Sequence, residues 1–295
     1  MILSLRQVFL TTANACCFIF LLIPIAANGA EYSFLERDED SGQVSFPAGD
    51  VFTPLIAALK QPQFFVSFIN IESENEDIHG ASVGIGHTFG LFRWSGEKPG
   101  DGWQLSFFGG VFSLFNMDSS SDDLINTDYL VGFPLTYRHG SYSVRFRLYH
   151  QSSHLGDELL LGDQAPERVN LSVDVVDALL SYEWRKWRGY GGVTYILRHD
   201  PSDLKQLGAQ LGVEYRTPIK ALWANQLLGG LDIKSYEEVD WDSSISLKLG
   251  LAYGRQSQGG SGIRLMLEAY DGPSPFGQFF NHDLTYYGLG MYFDY

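Results

Sequence analysis

The stretch LTYYGLGMYFDY, residues 284–295, decides the fold. Read with a period of two, it puts Tyr287, Leu289, Met291, Phe293 and Tyr295 on one face. Such a segment is a strand whose apolar face is continuous over nine residues and ends on an aromatic. It contains two glycines and one acid, so average hydropathy hides it. Segments of the same kind recur upstream about every 20 residues, separated by turn formers. Strands are expected at 63–71, 83–94, 103–116, 128–139, 142–152, 169–184, 190–198, 206–217, 225–235, 245–255, 263–271 and 284–295. That is about 12 strands, an even number.

The front of the chain has a different character. Arg6 supplies a positive start, CCFIFLLIPIA (16–26) an apolar core, and Ala27, Asn28 and Gly29 a small-residue cleavage site. Together they read as a secretory signal peptide over residues 1–30. The apolar run is about a dozen residues, short of the roughly 20 needed to span a bilayer as a helix. Both cysteines, Cys16 and Cys17, lie inside it. The mature protein therefore has no disulfide framework and no cysteine-ligated metal.

Formal charge is −15, and loss of Arg6 takes it to about −16, which argues against nucleic acid as a partner. No mature segment is apolar for long enough to form a spanning helix. Abundant glycine and aromatics in half-apolar strands are the composition of a membrane barrel. The fold class expected is all-β, a transmembrane antiparallel β-barrel of about 12 strands over residues 63–295. A lead-in or plug over 31–62 precedes it, with DVFTPLIAALK (50–60) as a short helix capped by Asp50.

The closing strand resembles that of bacterial outer-membrane β-barrels, whose assembly signal is a glycine, two free positions, an aromatic, one free position and a terminal aromatic. Gly290, Phe293 and Tyr295 fill those places. The resemblance implies Sec-type export, the barrel-assembly machinery as a partner, and a final location in the outer membrane among its lipids and lipopolysaccharide.

With both termini inside, the connections 72–77, 117–123, 154–168, 236–242 and 271–283 face outward, and turns such as 139–141 and 187–189 face inward. Long outer loops with short inner turns are the known asymmetry of such barrels. Parity then sets the faces. In the fifth strand Tyr142, Val144, Phe146 and Leu148 face lipid, and Ser143, Arg145, Arg147 and Tyr149 face the lumen. Lumen charges of both signs recur at Arg145, Arg147, Glu183, Glu214, Arg216, Asp232, Lys248, Arg264 and Glu268. They suit an interior cross-linked by ion pairs, or a selective pore, although no ring of one sign names a solute.

One stretch breaks the pattern. In YHQSSHLGDE (149–158), His150 and Ser152 continue the lipid-facing parity of Phe146 and Leu148. Polar groups on that face are costly unless paired or functional. Histidine with serine is the minimum for nucleophilic acyl transfer, and a third group must orient the imidazole. Asp174 and Asn170 on the next strand share the parity, and Asp157 is a local alternative. The plain alternative is that the cluster marks where the strand leaves hydrocarbon, with His154 and Asp157 as ordinary loop residues.

His-x-Ser near the outer leaflet resembles the active site of outer-membrane phospholipase A barrels and of lipid A deacylases. The resemblance implies Ser152 as nucleophile, His150 as base and Asp174 or Asn170 as orienter. In those families Asn-Gly or Asn-Ala usually follows, where this chain has Ser153 and His154. The phospholipase barrels also have 12 strands and form calcium-dependent dimers. Acidic outer loops can attract calcium or bridge to lipopolysaccharide through divalent ions, yet none has an ordered ligand spacing. No cofactor is therefore expected.

The loop DGPSPFGQFF (271–280) sits on the same rim, held by Pro273 and Pro275. It reads as a rigid structural loop, or as a ligand platform with Asp271 and Gln278. VGFPLTYRHG (131–140), RFRLYHQSSHLGDE (145–158), RVNLS (168–172) and this loop together resemble a bacterial family known as domain of unknown function 1207. That resemblance implies a cell-envelope barrel and leaves the activity open. Three functions stand: a lipid-facing serine esterase, a non-enzymatic binding or small-solute transport barrel, and an envelope structural protein.

Overall fold

The computed structural model describes residues 42–73, 77–161, 169–254 and 261–294. The expected signal peptide over residues 1–30, the start of the lead-in and Tyr295 of the assembly signal lie outside them. Twelve strands close into a barrel among the described residues: β2 (Phe64–Ser73), β3 (Ile78–Ser95), β4 (Gly102–Asn116), β5 (Asp123–His139), β6 (Tyr142–Leu155), β7 (Ser172–Trp184), β8 (Trp187–Asp200), β9 (Leu207–Ala221), β10 (Ala224–Tyr236), β11 (Ser243–Gly254), β12 (Gly262–Pro273) and β13 (Asp283–Asp294). Each pairs antiparallel with the next, and β13 closes on β2 with Phe293 opposite Phe64. A three-residue strand, β1 (Gln43–Ser45), adds to the inner end of β3.

Among the described residues each of the twelve strands has a hydrogen-bonded neighbour on both sides, so the wall pairs its ladder within the sheet. That is the condition a bilayer imposes on a spanning sheet. No helix among the described residues is long and apolar enough to cross a membrane.

Several strands run further than periodicity suggests. β3 begins at Ile78 instead of residue 83, and β5 at Asp123 instead of residue 128. Their outer ends carry polar residues, which erase the alternation while backbone pairing continues. The inner turn expected at 187–189 is corrected: those residues belong to β8, and Arg185–Lys186 make the turn, Arg185 with φ 55°. Comparable two-residue turns sit at 140–141 and 222–223, while the opposite end has the long connections.

Parity holds on the wall. Tyr142, Phe146 and Leu148 are exposed, whereas Ser143 and Arg145 are buried. Ile263, Leu265 and Leu267 are exposed against buried Arg264 and Glu268. At the short-turn end outward aromatics pair across strands: Trp103 with Tyr137 at 4.6 Å, Tyr142 with Tyr182 at 4.7 Å, and Trp187 with Tyr215 at 4.7 Å. Such a girdle is what a membrane interface selects.

The lumen is packed around residues 50–61. Ile56, Phe65, Phe108, Phe112, Leu228, Met266 and Tyr292 form a buried cluster. Ion pairs brace the wall around it: Arg138 to Glu183 at 2.6 Å, Arg188 to Glu214 at 3.3 Å, Lys248 to Glu268 at 3.6 Å and Arg264 to Asp294 at 2.8 Å. Residues 50–61 thread into this interior, with Val51, Phe52, Leu55 and Ile56 almost wholly buried.

The helix expected at 50–60 is absent, and the segment runs as bends and turns. Lumen side chains take its backbone groups in place of helical partners. Arg138 Nε donates to Val51 O at 2.8 Å, Arg188 Nη1 to Thr53 O at 2.8 Å and Ser246 Oγ to Ala57 O at 2.8 Å. Glu214 Oε1 accepts from Ile56 N at 2.6 Å. The α-helix among the described residues, α1 (Asp157–Leu161), lies instead in an outer loop.

Candidate functional site

β6 and β7 pair so that His150 stands opposite Asp174 and Ser152 opposite Ser172. Directly opposed side chains on one face are close enough to bond. His150 Nδ1 lies 2.8 Å from Asp174 Oδ1, and both side chains are part-exposed on the outer wall. Arg198 on β8 approaches the other oxygen, with Nε 3.8 Å from Asp174 Oδ2. Imidazole, carboxylate and guanidinium thus form an outward polar patch above exposed Phe146, Leu148 and Val176.

Asp174 engaged at Nδ1 leaves Nε2 of the ring for a proton acceptor's role. Ser152, two residues on, shares the face and is half-buried, flanked on β5 by Tyr129. Among the described residues no hydrogen bond joins Ser152 to His150. Asn170, the other candidate orienter, donates from Nδ2 to Asp200 and does not reach the ring. Asp157 opens α1 and is exposed.

The residue after the serine is committed elsewhere. Ser153 is buried, its N–H donates to Leu171 O at 3.0 Å and its Oγ to Asn126 Oδ1 at 3.0 Å. His154 returns to the outer face, edge-on to Tyr129 at 5.7 Å. Among the described residues no group of three or more His, Cys, Asp or Glu is placed to hold a metal ion.

The rim loop turns inward. Its short 3₁₀ turn at Gly277–Phe279 is clasped by the far wall: Gly277 N donates to Asp128 Oδ1 at 3.2 Å and Gln278 N to Asn126 Oδ1 at 3.0 Å. Gln278 Nε2 donates to Ser153 O at 2.7 Å and to Val169 O at 2.8 Å. Gln278 is therefore a clasp. Asp271 is buried and accepts from Thr285 Oγ1 at 2.6 Å. Gly277 is required here because a Cβ would stand 2.6 Å from Asp128 Oδ1 and 2.7 Å from Ser153.

The family model described as a protein of unknown function, DUF1207, matches residues 40–295. The chain belongs to the DUF1207 family. No curated protein matches it. The barrel is similar to the outer-membrane phospholipase dimer of Salmonella typhi with bound calcium, at 15% identity and TM-score 0.54, over 79% of this chain and 92% of that one. It is similar as well to outer membrane phospholipase A from Escherichia coli, at 15% identity and TM-score 0.54, over 82% and 99%. At that identity the likeness is one of fold: this DUF1207 chain has the architecture of an outer-membrane β-barrel.

Sequence parity locates Ser152, His150 and Asp174 on one wall, and the pairing brings the last two together. It does not find Arg198, which sits one strand further on and lacks any motif. Nor does it find Arg138, Arg188 and Asp128, whose partners lie in the plug and the rim loop. A lone inward charge on a strand is the only sequence signal they give.

Proposed function

We propose that this DUF1207 barrel resides in the bacterial outer membrane after Sec export and acts there as a serine esterase on phospholipid or lipid A. The observation that carries the reading is the His150 Nδ1 to Asp174 Oδ1 contact of 2.8 Å on the lipid-facing wall, two residues from Ser152. An unsolvated pair on that surface is costly, and orienting an imidazole beside a hydroxyl gives it a use. The plugged lumen supports chemistry at the wall over flux through the centre.

In this mechanism Ser152 Oγ turns toward His150, loses its proton to Nε2 and attacks the ester carbonyl of a lipid in the outer leaflet. Asp174 stabilises the imidazolium at Nδ1. The tetrahedral intermediate collapses, Nε2 returns the proton to the leaving lipid alcohol, and water then hydrolyses the acyl-serine by the same relay. The Ser153 N–H is engaged with Leu171 O, so the oxyanion needs side-chain donors. His154 stands two residues beyond Ser152 on that face. Arg198, largely exposed beside Asp174, suits a lipid phosphate.

The test is fatty-acid release from phospholipid and from lipopolysaccharide by the refolded mature chain, with and without calcium. Ser152→Ala and His150→Ala are expected to lower release by roughly a thousandfold or more while the folded, heat-modifiable form persists. Full activity in Ser152→Ala would sink the reading.

A further inference from the structure

Above the plug the lumen holds a cavity of about 210 Å³. It runs from Leu55 and Ala58 of the plug up to Lys205, Glu238 and Phe280 in the outer loops. Its walls divide by chemistry. One side is the buried cluster Leu171, Val173, Val175, Ile196 and Leu204, with Phe280 packed on it. Lys60, Arg145, Arg147, Lys205 and Lys234 supply the cationic lining, and Asp232, Glu238 and Asp242 lie among them.

Most of these charges are answered within the protein. Arg147 is held by Asp177, Lys205 by Asp240 at 2.8 Å, and Lys60 by Asp128 at 3.0 Å. Asp232 accepts from Tyr190 Oη at 2.7 Å and from Gln210 Nε2. Arg145 differs. It is 5% exposed, its Nε has no hydrogen-bond partner, and its guanidinium lies over the Phe52 ring at 4.9 Å. Neither Arg145 nor Lys234 has a side-chain hydrogen bond or ion pair among the described residues.

A buried guanidinium without an acceptor is a costly arrangement that folding alone does not ask for. Register also gives depth. Tyr149 stands opposite Val175 and Arg145 opposite Leu179, so Arg145 lies four residues, or roughly 13 Å of strand, deeper than Tyr149. The cationic floor lies under an apolar shaft.

We propose that this cavity is a binding site, entered from the outer face, for a small amphiphilic carboxylate. The carboxylate rests on Arg145 and Lys234, and the apolar body lies along Val173, Val175 and Ile196. The site is separate from the wall chemistry, because His150 and Ser152 face the opposite side of the same strand. Apolar walls with a few convergent polar groups are the usual composition of such sites.

The experiment is calorimetric titration of the full mature barrel in lipid nanodiscs with hexanoate, hexanol and inorganic phosphate. Hexanoate is expected to bind saturably, and hexanol at least about tenfold more weakly, as loss of a charge-assisted hydrogen bond implies. Arg145→Gln should weaken hexanoate about tenfold, and Thr194→Trp, which fills the shaft, should abolish binding. Ser152→Ala should leave it unchanged, which separates this site from the esterase. Absence of saturable hexanoate binding, or unchanged affinity in a heat-modifiable Arg145→Gln barrel, would overturn the assignment. Phosphate binding as tightly as hexanoate would overturn its amphiphilic part. Should Arg145→Gln not fold, Lys234→Met read beside Thr194→Trp decides by the same criteria.

Discussion

Arg188 shows how one residue joins wall to plug. It is fully buried, stacks over Phe52 at 4.5 Å, and donates to Thr53 O at 2.8 Å and Ser181 Oγ at 3.1 Å. Glu214 Oε2 lies 3.3 Å away and balances the charge, while Oε1 holds Ile56 N. Removing one member of such a pair leaves the other charged, buried and unmet. Glu214→Ala is therefore expected to destabilise the barrel by about 3–5 kcal/mol, read by urea unfolding. Glu214→Gln, which can still accept from Ile56 N, should cost less, and equal midpoints for the two variants would contradict this. Steric fit operates at the same scale. A Cβ on Gly212 would meet the Tyr190 ring at 2.1 Å, so Gly212→Ala must displace the ring and break the bond from Tyr190 Oη to Asp232. Overpacking of this kind costs about 1–3 kcal/mol in the same assay.

The plug is the element that decides whether anything passes. Its backbone is bonded to β5, β8, β9 and β11, and Lys60 reaches Asp128, which also receives Gly277 of the rim loop. Plug, wall and rim loop thus share one carboxylate. In planar bilayers the intact chain is expected to show no stable open channel, and deletion of residues 50–61 to produce one. Equal conductance from both would mean that the plug does not close the lumen. These elements were unequally legible in the sequence. Strands were, because alternation repeats along each of them, and so was the lipid-facing parity of His150, Ser152 and Asp174. The plug's course was not, since DVFTPLIAALK has a helix-like apolar pattern and a capping Asp50. What defeats the helix is Arg138, Arg188 and Glu214, which lie at least 80 residues away in sequence and offer the segment better partners. The cavity was equally hidden, because Arg145 reads as one more inward charge until its lack of a hydrogen-bond acceptor among the described residues is visible in three dimensions.

At the scale of the whole molecule, the barrel is an inverted globule, apolar outside and charged within. Phe68, Leu211, Leu249, Leu267 and Leu289 are all at least half exposed on its wall. A 12-residue strand such as β12, tilted about 40° at roughly 3.3 Å per residue, rises about 30 Å, which matches the hydrocarbon core. The cost of a charge on this wall should then depend on depth alone. Leu267 lies mid-strand on β12, with Leu249 and Leu289 opposite, while Leu207 is the first residue of β9 at the outer rim. Leu267→Arg is expected to destabilise the barrel in liposomes by about 2–4 kcal/mol, and Leu207→Arg by about 0–1 kcal/mol, in reversible guanidinium unfolding. Both positions are solvent-exposed in the absence of lipid, so a water-borne barrel would tolerate the two substitutions alike. Equal costs would argue against membrane insertion, whereas the depth-graded pair would place this wall in a bilayer by its own energetics.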